Sequence, residues 1–253
     1  MRLATFNILS GRSPGDDEVD EDRFAEAVAS LDADVLGLQE VDRNLPRSKH
    51  ADLTAIAARA MGAPEHRFVA ALSGTPGATW TAGTGEEQPD AAAYGVALLS
   101  RYPVVGWQVL RLPPVPVRAP HRFRGQWRPE WVRDEPRAAV VAEMESPTGR
   151  LHVVSTHLSY LRWWNGYQLR VLLRDLAVVR GPVVLLGDLN MGRERAERLT
   201  GMRPLATGLT FPADRPTEQI DHVLLRGDLL HLSAGGPVEL SVSDHRALVA
   251  DVG

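Results

Sequence analysis

The chain contains no cysteine and a single lysine, Lys49, and aromatic residues make up only 6% of its 253 positions. The missing cysteines remove disulfides, thiolate zinc sites and cysteine nucleophiles together, so any bound metal must be held by oxygen or imidazole. The missing lysines leave nearly all positive charge on arginine, so no single arginine can be read as phosphate-specific from its type alone. No run of about 18 or more uncharged apolar residues occurs. The opening Leu3-Ala4-Thr5-Phe6-Asn7 reads as a strand rather than the core of a signal peptide. No membrane insertion and a cytoplasmic location are the expectations. No segment repeats at a fixed period. A net charge of −4 and a pI near 6.1 argue against a dedicated duplex-DNA binder, which ordinarily carries a basic footprint.

What is present is a 44% apolar chain long enough to bury a sizeable core, read as one domain over 1–253. Asp20 to Leu31 has the spacing of a helix, with Asp20 or Asp22 as its cap and Phe24, Ala27, Val28 and Leu31 on one face. Ala51 to Met61 reads as a second helix stopped by Gly62 and Pro64, and Asn165 to Val179 as a third. Strands are expected at Val35–Val41, Phe68–Leu72, two segments between Tyr94 and Val109, Arg137–Glu143, Leu151–Thr156, Val183–Leu186, Gln219–Leu225 and Ala247–Val252. Ser73 to Asp90 lacks periodicity and reads as a long surface loop, and Pro113 to Trp131 as an irregular insertion on the active-site side. Strands in hairpin-like succession, interleaved with amphipathic helices, fit an α/β sandwich. Two packed sheets, mixed but largely antiparallel, would then be flanked by helices. A doubly wound parallel sheet would need a helix between nearly every pair of strands, and Tyr94–Val109 and Arg137–Thr156 lack one.

Chemistry gathers where apolar strands run out. Val35 to Leu38 leads into Gln39-Glu40, and Val183 to Leu186 into Gly187-Asp188-Leu189-Asn190, while Ser243-Asp244-His245 precedes Leu248-Val249. Together with Thr5-Phe6-Asn7, Ser155-Thr156-His157-Leu158 and Ile220-Asp221-His222, these segments resemble the endonuclease/exonuclease/phosphatase superfamily, the DNase I-like fold. The resemblance spans Leu3 to Val252. It implies a four-layer sandwich with the active site between the two sheets at one edge, and a Mg²⁺-dependent phosphoester hydrolase, with Mn²⁺ as an alternative ion. Hard oxygen ligands suit Mg²⁺.

Hydrolysis of a phosphoester needs a water in line with the leaving group, a base near it, and stabilisation of charge on the equatorial oxygens. Within the resemblance, Glu40 is the primary metal ligand, with Asn7 beside it as a neutral ligand or orienting donor and Asp244 on the metal side. Asp188 is a base or a second-metal ligand, and Asn190, two residues on, orients phosphate or nucleophile. His245 is the other candidate base, with Asp221 fixing its tautomer. His157 donates to a non-bridging oxygen, and His222 points to the opposite face. Arg137 opens a strand that resembles an arginine-bearing strand of this family and is read as a phosphate contact. Trp107, Trp127, Trp131, Trp163 and Trp164, with Arg118, Arg122, Arg124 and Arg128, are candidate pocket-lining residues.

The chain departs from the apurinic-site endonuclease branch, which carries a Tyr-Val-Pro-Asn type segment where Ser155-Thr156-His157-Leu158 stands here, and a second carboxylate near the first-strand Asn. The histidine version looks more like the phosphatase, sphingomyelinase and tyrosyl-DNA phosphodiesterase branches. That excludes one subgroup without naming another; the complete ligand set and the acidic net charge make a small-molecule or lipid-like phosphate ester the expected substrate. A metal-dependent nuclease or DNA-end-processing phosphodiesterase is the alternative, and oligomeric state is not legible.

Overall fold

The computed structural model describes residues 1–88, 90–121, 127–229, 231–233 and 235–253. In chain order the elements are β1 (Arg2–Asn7), α1 (Glu21–Ser30), β2 (Val35–Arg43), α2 (Leu53–Met61), β3 (Glu65–Gly74), β4 (Trp80–Ala82), β5 (Ala93–Ser100), β6 (Val104–Leu112), β7 (Ala119–His121) and β8 (Glu130–Val132). There follow β9 (Arg137–Ser146), β10 (Gly149–His157), α3 (Arg162–Leu176), β11 (Val183–Asp188), α4 (Arg193–Thr200), β12 (Arg203–Pro204), β13 (Asp221–Arg226), β14 (His231–Ser233), β15 (Pro237–Val238) and β16 (Ala247–Val252).

Two sheets face each other. One runs β14-β16-β1-β2-β5-β3-β4, with β15 also on β16; the other runs β12-β13-β11-β10-β9-β6. Each is antiparallel except for one pair, β1 with β2 and β10 with β11. Parallel neighbours cannot be joined by a hairpin, and here α1 and α3 supply the crossovers. The register pairs Asn7 with Gln39 at the end of the first parallel pair and His157 with Asp188 at the end of the second. Those two carboxyl ends meet at one rim, which is where the site forms.

Burial sorts the chain into four layers. Phe6, Leu36 and Leu38 pack outward against Phe24, Leu53 and Ile56 of α1 and α2 or their caps. Leu3 and Val35 meet Val140, Val153, Val184 and Leu186 between the sheets. Val141, Val154 and Leu185 pack outward against Leu169, Leu172 and Ala196 of α3 and α4. The helices form where their caps and faces demand it: Asp20 accepts from the Arg23 N–H, Asp52 from the Ala55 N–H, and Gly62 closes α2 in the left-handed region at φ 66°. The expected sandwich is the architecture found. Among the described residues no helix is long and apolar enough to cross a membrane.

Three local expectations are corrected. Ser73–Asp90 is not all loop, because Ser73 and Gly74 end β3 and Trp80–Ala82 pair back on it as β4. Pro113–Trp131 likewise contains β7, which pairs with β8 as a separate ribbon. Helix α3 starts three residues early, at Arg162, and stops at Leu176. The short β12, β14 and β15 and helix α4 were not anticipated. Only Ala196 of α4 is buried, so its sequence carries no apolar stripe to read.

The sheets pack tightly at Gly37. A Cβ built at Gly37 would sit 2.9 Å from Ser155 Oγ and 3.1 Å from Leu186 Cβ. Gly37→Ala must therefore push the layers apart, at a cost of roughly 1–3 kcal/mol. Chemical denaturation should show that loss, and an unchanged midpoint would mean that the contact gives way freely.

Candidate active site

Strand β2 does not reach the rim regularly. Its pairing with β5 slips between Leu38 and Val41, and Glu40 sits in the left-handed region at φ 54°. Such a bulge re-aims a side chain, and here it leaves Gln39 buried while Glu40 reaches the half-exposed rim. Asn190 at φ 50° and Ser243 at φ 72° adopt the same uncommon conformation in the other two loops of the site. Backbone strain of this kind gathers at functional sites.

A buried polar ladder ties the two halves together under these residues. Thr5 Oγ1 donates to Gln39 Oε1 at 3.1 Å, and Gln39 Nε2 donates to Ser155 Oγ at 3.3 Å. Above it, the Asn7 amide nitrogen donates to both Glu40 Oε1 and Asp188 Oδ2, each at 3.1 Å. One amide thus holds a carboxylate from each sheet. Asp188 Oδ1 accepts from the Asn190 N–H at 2.8 Å. Ser243 Oγ donates to the Asn7 carbonyl at 2.5 Å and accepts from the His245 N–H at 3.1 Å, which locks the last loop onto β1.

His245 Nδ1 lies 2.9 Å from Asp221 Oδ2, and its Nε2 lies 4.0 Å from Asp188 Oδ2. Asp188, Asp221 and His245 offer donor atoms that all fall within 4.8 Å of one another. The Phe211 ring packs 4.7 Å from the imidazole of His245. On the other side of Asp188, His157 Nε2 is 3.6 Å from Oδ2. Behind His157 stands Arg137, its Nη1 3.1 Å from His157 Nδ1 and its Nη2 donating to Asp134 Oδ1 at 3.0 Å. A guanidinium only donates, so with Nδ1 as its acceptor the neutral ring carries its proton on Nε2, which lies between Asp188 and the Asn190 amide nitrogen 3.2 Å away; that amide then donates to the Leu158 carbonyl and not to the ring.

The electrostatics follow from burial and from who faces whom. Burial, and then the neighbouring Asp221 charge, push Asp188 up to about 7, against the pull of His245, the Asn190 N–H and Asn7. Burial opposes charge on His245, but its pairing with Asp221 and the fields of Asp188 and Asp244 outweigh it and push the ring up to about 10. His157 is held well below the ordinary histidine range by burial, then by Arg137 and His245. The centre thus combines one neutral imidazole with one that is charged while no cation is bound, separated by a carboxylate.

Four carboxylates, Glu40, Asp188, Asp221 and Asp244, gather at this rim, facing His245 and, at the Glu40 end, Arg47. Asp221 Oδ1 and Asp244 Oδ1 are buried without hydrogen-bond partners. Oxygen donors in excess over positive charge, two of them unpartnered, fit a hard divalent cation.

Of the residues singled out in the sequence, Asn7, Glu40, His157, Asp188, Asn190, Asp221 and His245 come together. Asp244 presents its unpartnered oxygen beside them and uses its carbonyl to accept from the Ala213 N–H. His222 points away, with Nε2 bonded to the Met191 carbonyl at 2.8 Å. Arg137, only 6% exposed, backs His157 rather than facing the opening. Trp107 packs on the inter-sheet core, and Trp164 donates to the Pro113 carbonyl. Trp127, Trp131 and Trp163 are exposed, as are Arg118 and Arg128, whereas Arg122 and Arg124 lie outside the described residues. Sequence reasoning missed Asp134 and Glu135, which pair with Arg137, because neither belongs to a motif; their position just ahead of it is the one available signal.

A sequence model described as Endonuclease/Exonuclease/phosphatase family matches residues 4–245. No curated protein matches the chain. Among solved structures, an endonuclease/exonuclease/phosphatase from Beutenbergia cavernae is 23% identical, covering 100% of this chain and 71% of its own, with a TM-score of 0.71. A mannosyl-6-phosphatase from Bacteroides thetaiotaomicron is 14% identical, covering 100% and 99%, with a TM-score of 0.66. A beta-toxin variant from Staphylococcus aureus with bound magnesium ions is 13% identical, covering 98% of each chain, also at 0.66.

Proposed function

Because the chain belongs to the endonuclease/exonuclease/phosphatase family, whose members are metal-dependent phosphoesterases, we propose that it hydrolyses a small-molecule or lipid-like phosphate ester with Mg²⁺. The observation that carries this reading is the Asn7 amide bound at once to Glu40 and Asp188, which brings the carboxylates of both sheets within reach of one ion. Glu40, Asp188 and Asp244 would hold Mg²⁺, with Asn7, whose amide nitrogen faces the first two, as the donor that orients them, and the beta toxin of the same fold carries magnesium. When bound, the cation supplies Lewis-acid polarisation of the phosphoryl group and charge neutralisation.

The chain's own residues do the rest. Asp188 Oδ2 and His245 Nε2, 4.0 Å apart, leave a point within hydrogen-bond reach of both for the attacking water. With the Asp188 and Asp244 charges that help keep the ring protonated offset by a bound cation, Nε2 or Asp188 takes the water's proton as its oxygen bonds to phosphorus and the ester oxygen leaves. Asp221 holds the His245 ring in the tautomer that faces this point. His157 donates from Nε2 to a non-bridging oxygen, and Asn190, its side chain seated against the Leu158 carbonyl at 3.0 Å, orients the phosphate.

Arg137 is a positioning residue in this scheme. Arg137→Lys should leave Asp134 paired but break the fork that reaches His157, lowering kcat/KM by roughly ten- to a hundredfold. Nitrogen-15 NMR of the His157 ring should then lose its fixed Nε2–H tautomer, and an unchanged tautomer with an unchanged rate would sink the assignment. The function itself is tested with a panel of phosphomonoesters and phosphodiesters in Mg²⁺. Turnover of at least one, abolished by EDTA, is expected, whereas no turnover of any with metal bound overturns the reading.

A further inference from the structure

Beside the catalytic rim lies a cleft of about 940 Å³ that the chemistry above leaves unused. Asn190 is part of both, Phe211 of its wall packs on His245, and Ile220 precedes Asp221. Arg162 at the start of α3 and Arg193, Arg195 and Arg198 of α4 line it, against the carboxylates of Glu194 and Glu218. Among the described residues only Arg193 of the four has a carboxylate partner, Glu197 at 3.2 Å.

Arg195 is seated with care. Its Nη1 donates to Asn165 Oδ1 at 2.8 Å and its Nη2 to the Arg162 carbonyl at 2.6 Å, both neutral acceptors. It lies against Gly166, in the second turn of α3, where an added Cβ would come within 2.7 Å of Nη2. A glycine inside a helix is destabilising by roughly 0.5–1 kcal/mol, and here the guanidinium is what needs the space. Burial, then the charges of Arg162, Arg170 and Arg198, hold the Arg195 pKa below the ordinary arginine value. Four guanidiniums against two carboxylates repel one another until an anion arrives.

We infer that this cleft is the subsite for a second phosphate, so that the enzyme acts on a bisphosphorylated small molecule whose scissile phosphorus sits between His157 and His245. The inference rests on the phosphoesterase reading of the adjoining centre. A planar, pre-oriented guanidinium beside two more suits a phosphate, which it binds through paired N–H donors. The volume lies within the range of small-molecule sites, and the chain's net charge of −4 does not suit a long polyanion.

Pyrophosphate is the probe for the subsite alone, titrated by calorimetry into the whole protein in EDTA, where the carboxylate centre repels anions. Arg198→Ala and Arg162→Ala, whose side chains make no hydrogen bond or ion pair among the described residues, should each weaken binding at least tenfold. Equal binding by the variants, or none by the parent protein, overturns the subsite. In Mg²⁺, Arg198→Ala should raise KM for fructose 1,6-bisphosphate at least tenfold while kcat/KM for fructose 6-phosphate stays within twofold. An equal change for both esters likewise overturns it. Arginine-dependent pyrophosphate binding in a protein that turns over no phosphoester would instead overturn the hydrolase reading, so the two failures are distinguishable.

Discussion

Asp188→Asn is expected to lower kcat/KM by about 10³–10⁴-fold while leaving the metal-free protein no less stable than its parent. The activity loss follows from position. Asp188 is 2% exposed, faces both His157 and His245, and shares the Asn7 amide with Glu40. An amide of the same shape keeps one acceptor, for the Asn190 N–H, but turns an NH₂ toward Asn7 and gives up the charge a cation needs. The stability result follows from the same crowding. Burial and Asp221 make the Asp188 carboxylate a net unfavourable charge in the absence of metal, so the repulsion relieved by its removal offsets the lost Asn7 hydrogen bond and His245 attraction. Thermal melts separate the two effects. The parent should gain stability on adding Mg²⁺, by about 2.7 kcal/mol at a hundred times the dissociation constant, and the variant should not. A variant that keeps its turnover, or that melts far below its parent in EDTA, would show that Asp188 is a structural residue.

The sandwich and most of this centre were legible because the residues involved obey simple periodicities. Strand β11 is a buried apolar run that ends abruptly in Asp188, and α1 shows its cap and its Phe24, Ala27, Val28 face without ambiguity. The left-handed conformation of Glu40 was not legible, because a bulge leaves no mark in side-chain type when the residue is not glycine. The true station of Arg137 was not legible either. Its strand and the fact that it opens it were readable, but whether a guanidinium faces a cleft or the back of a histidine depends on Asp134 and Glu135, two carboxylates with no periodic context of their own. Helix α4 was missed for the opposite reason. Its value lies in the arginines it presents outward, and an element with only Ala196 buried offers no pattern to find. Sequence periodicity records what faces the core, whereas the cleft beside the rim is lined by what faces away from it.

Asp221→Asn should be nearly as damaging as the loss of Asp188, roughly 10²–10⁴-fold and mainly in kcat, although no contact of Asp221 reaches a substrate. Asp221 is fully buried, and its Oδ2 is the partner of His245 Nδ1 at 2.9 Å. Burial works against protonating that ring, and the Asp221 charge is the largest influence in the opposite direction. An asparagine removes the charge, and if its NH₂ turns to His245 it makes Nδ1 an acceptor, which moves the ring proton to Nε2 and buries the lone pair that should face the water. His245→Gln removes the same lone pair directly. The two residues therefore act as one device, and the double variant should be no slower than the slower single variant. If the two losses instead multiplied, Asp221 and His245 would be acting independently, and the proton would have to be taken by Asp188 without the dyad.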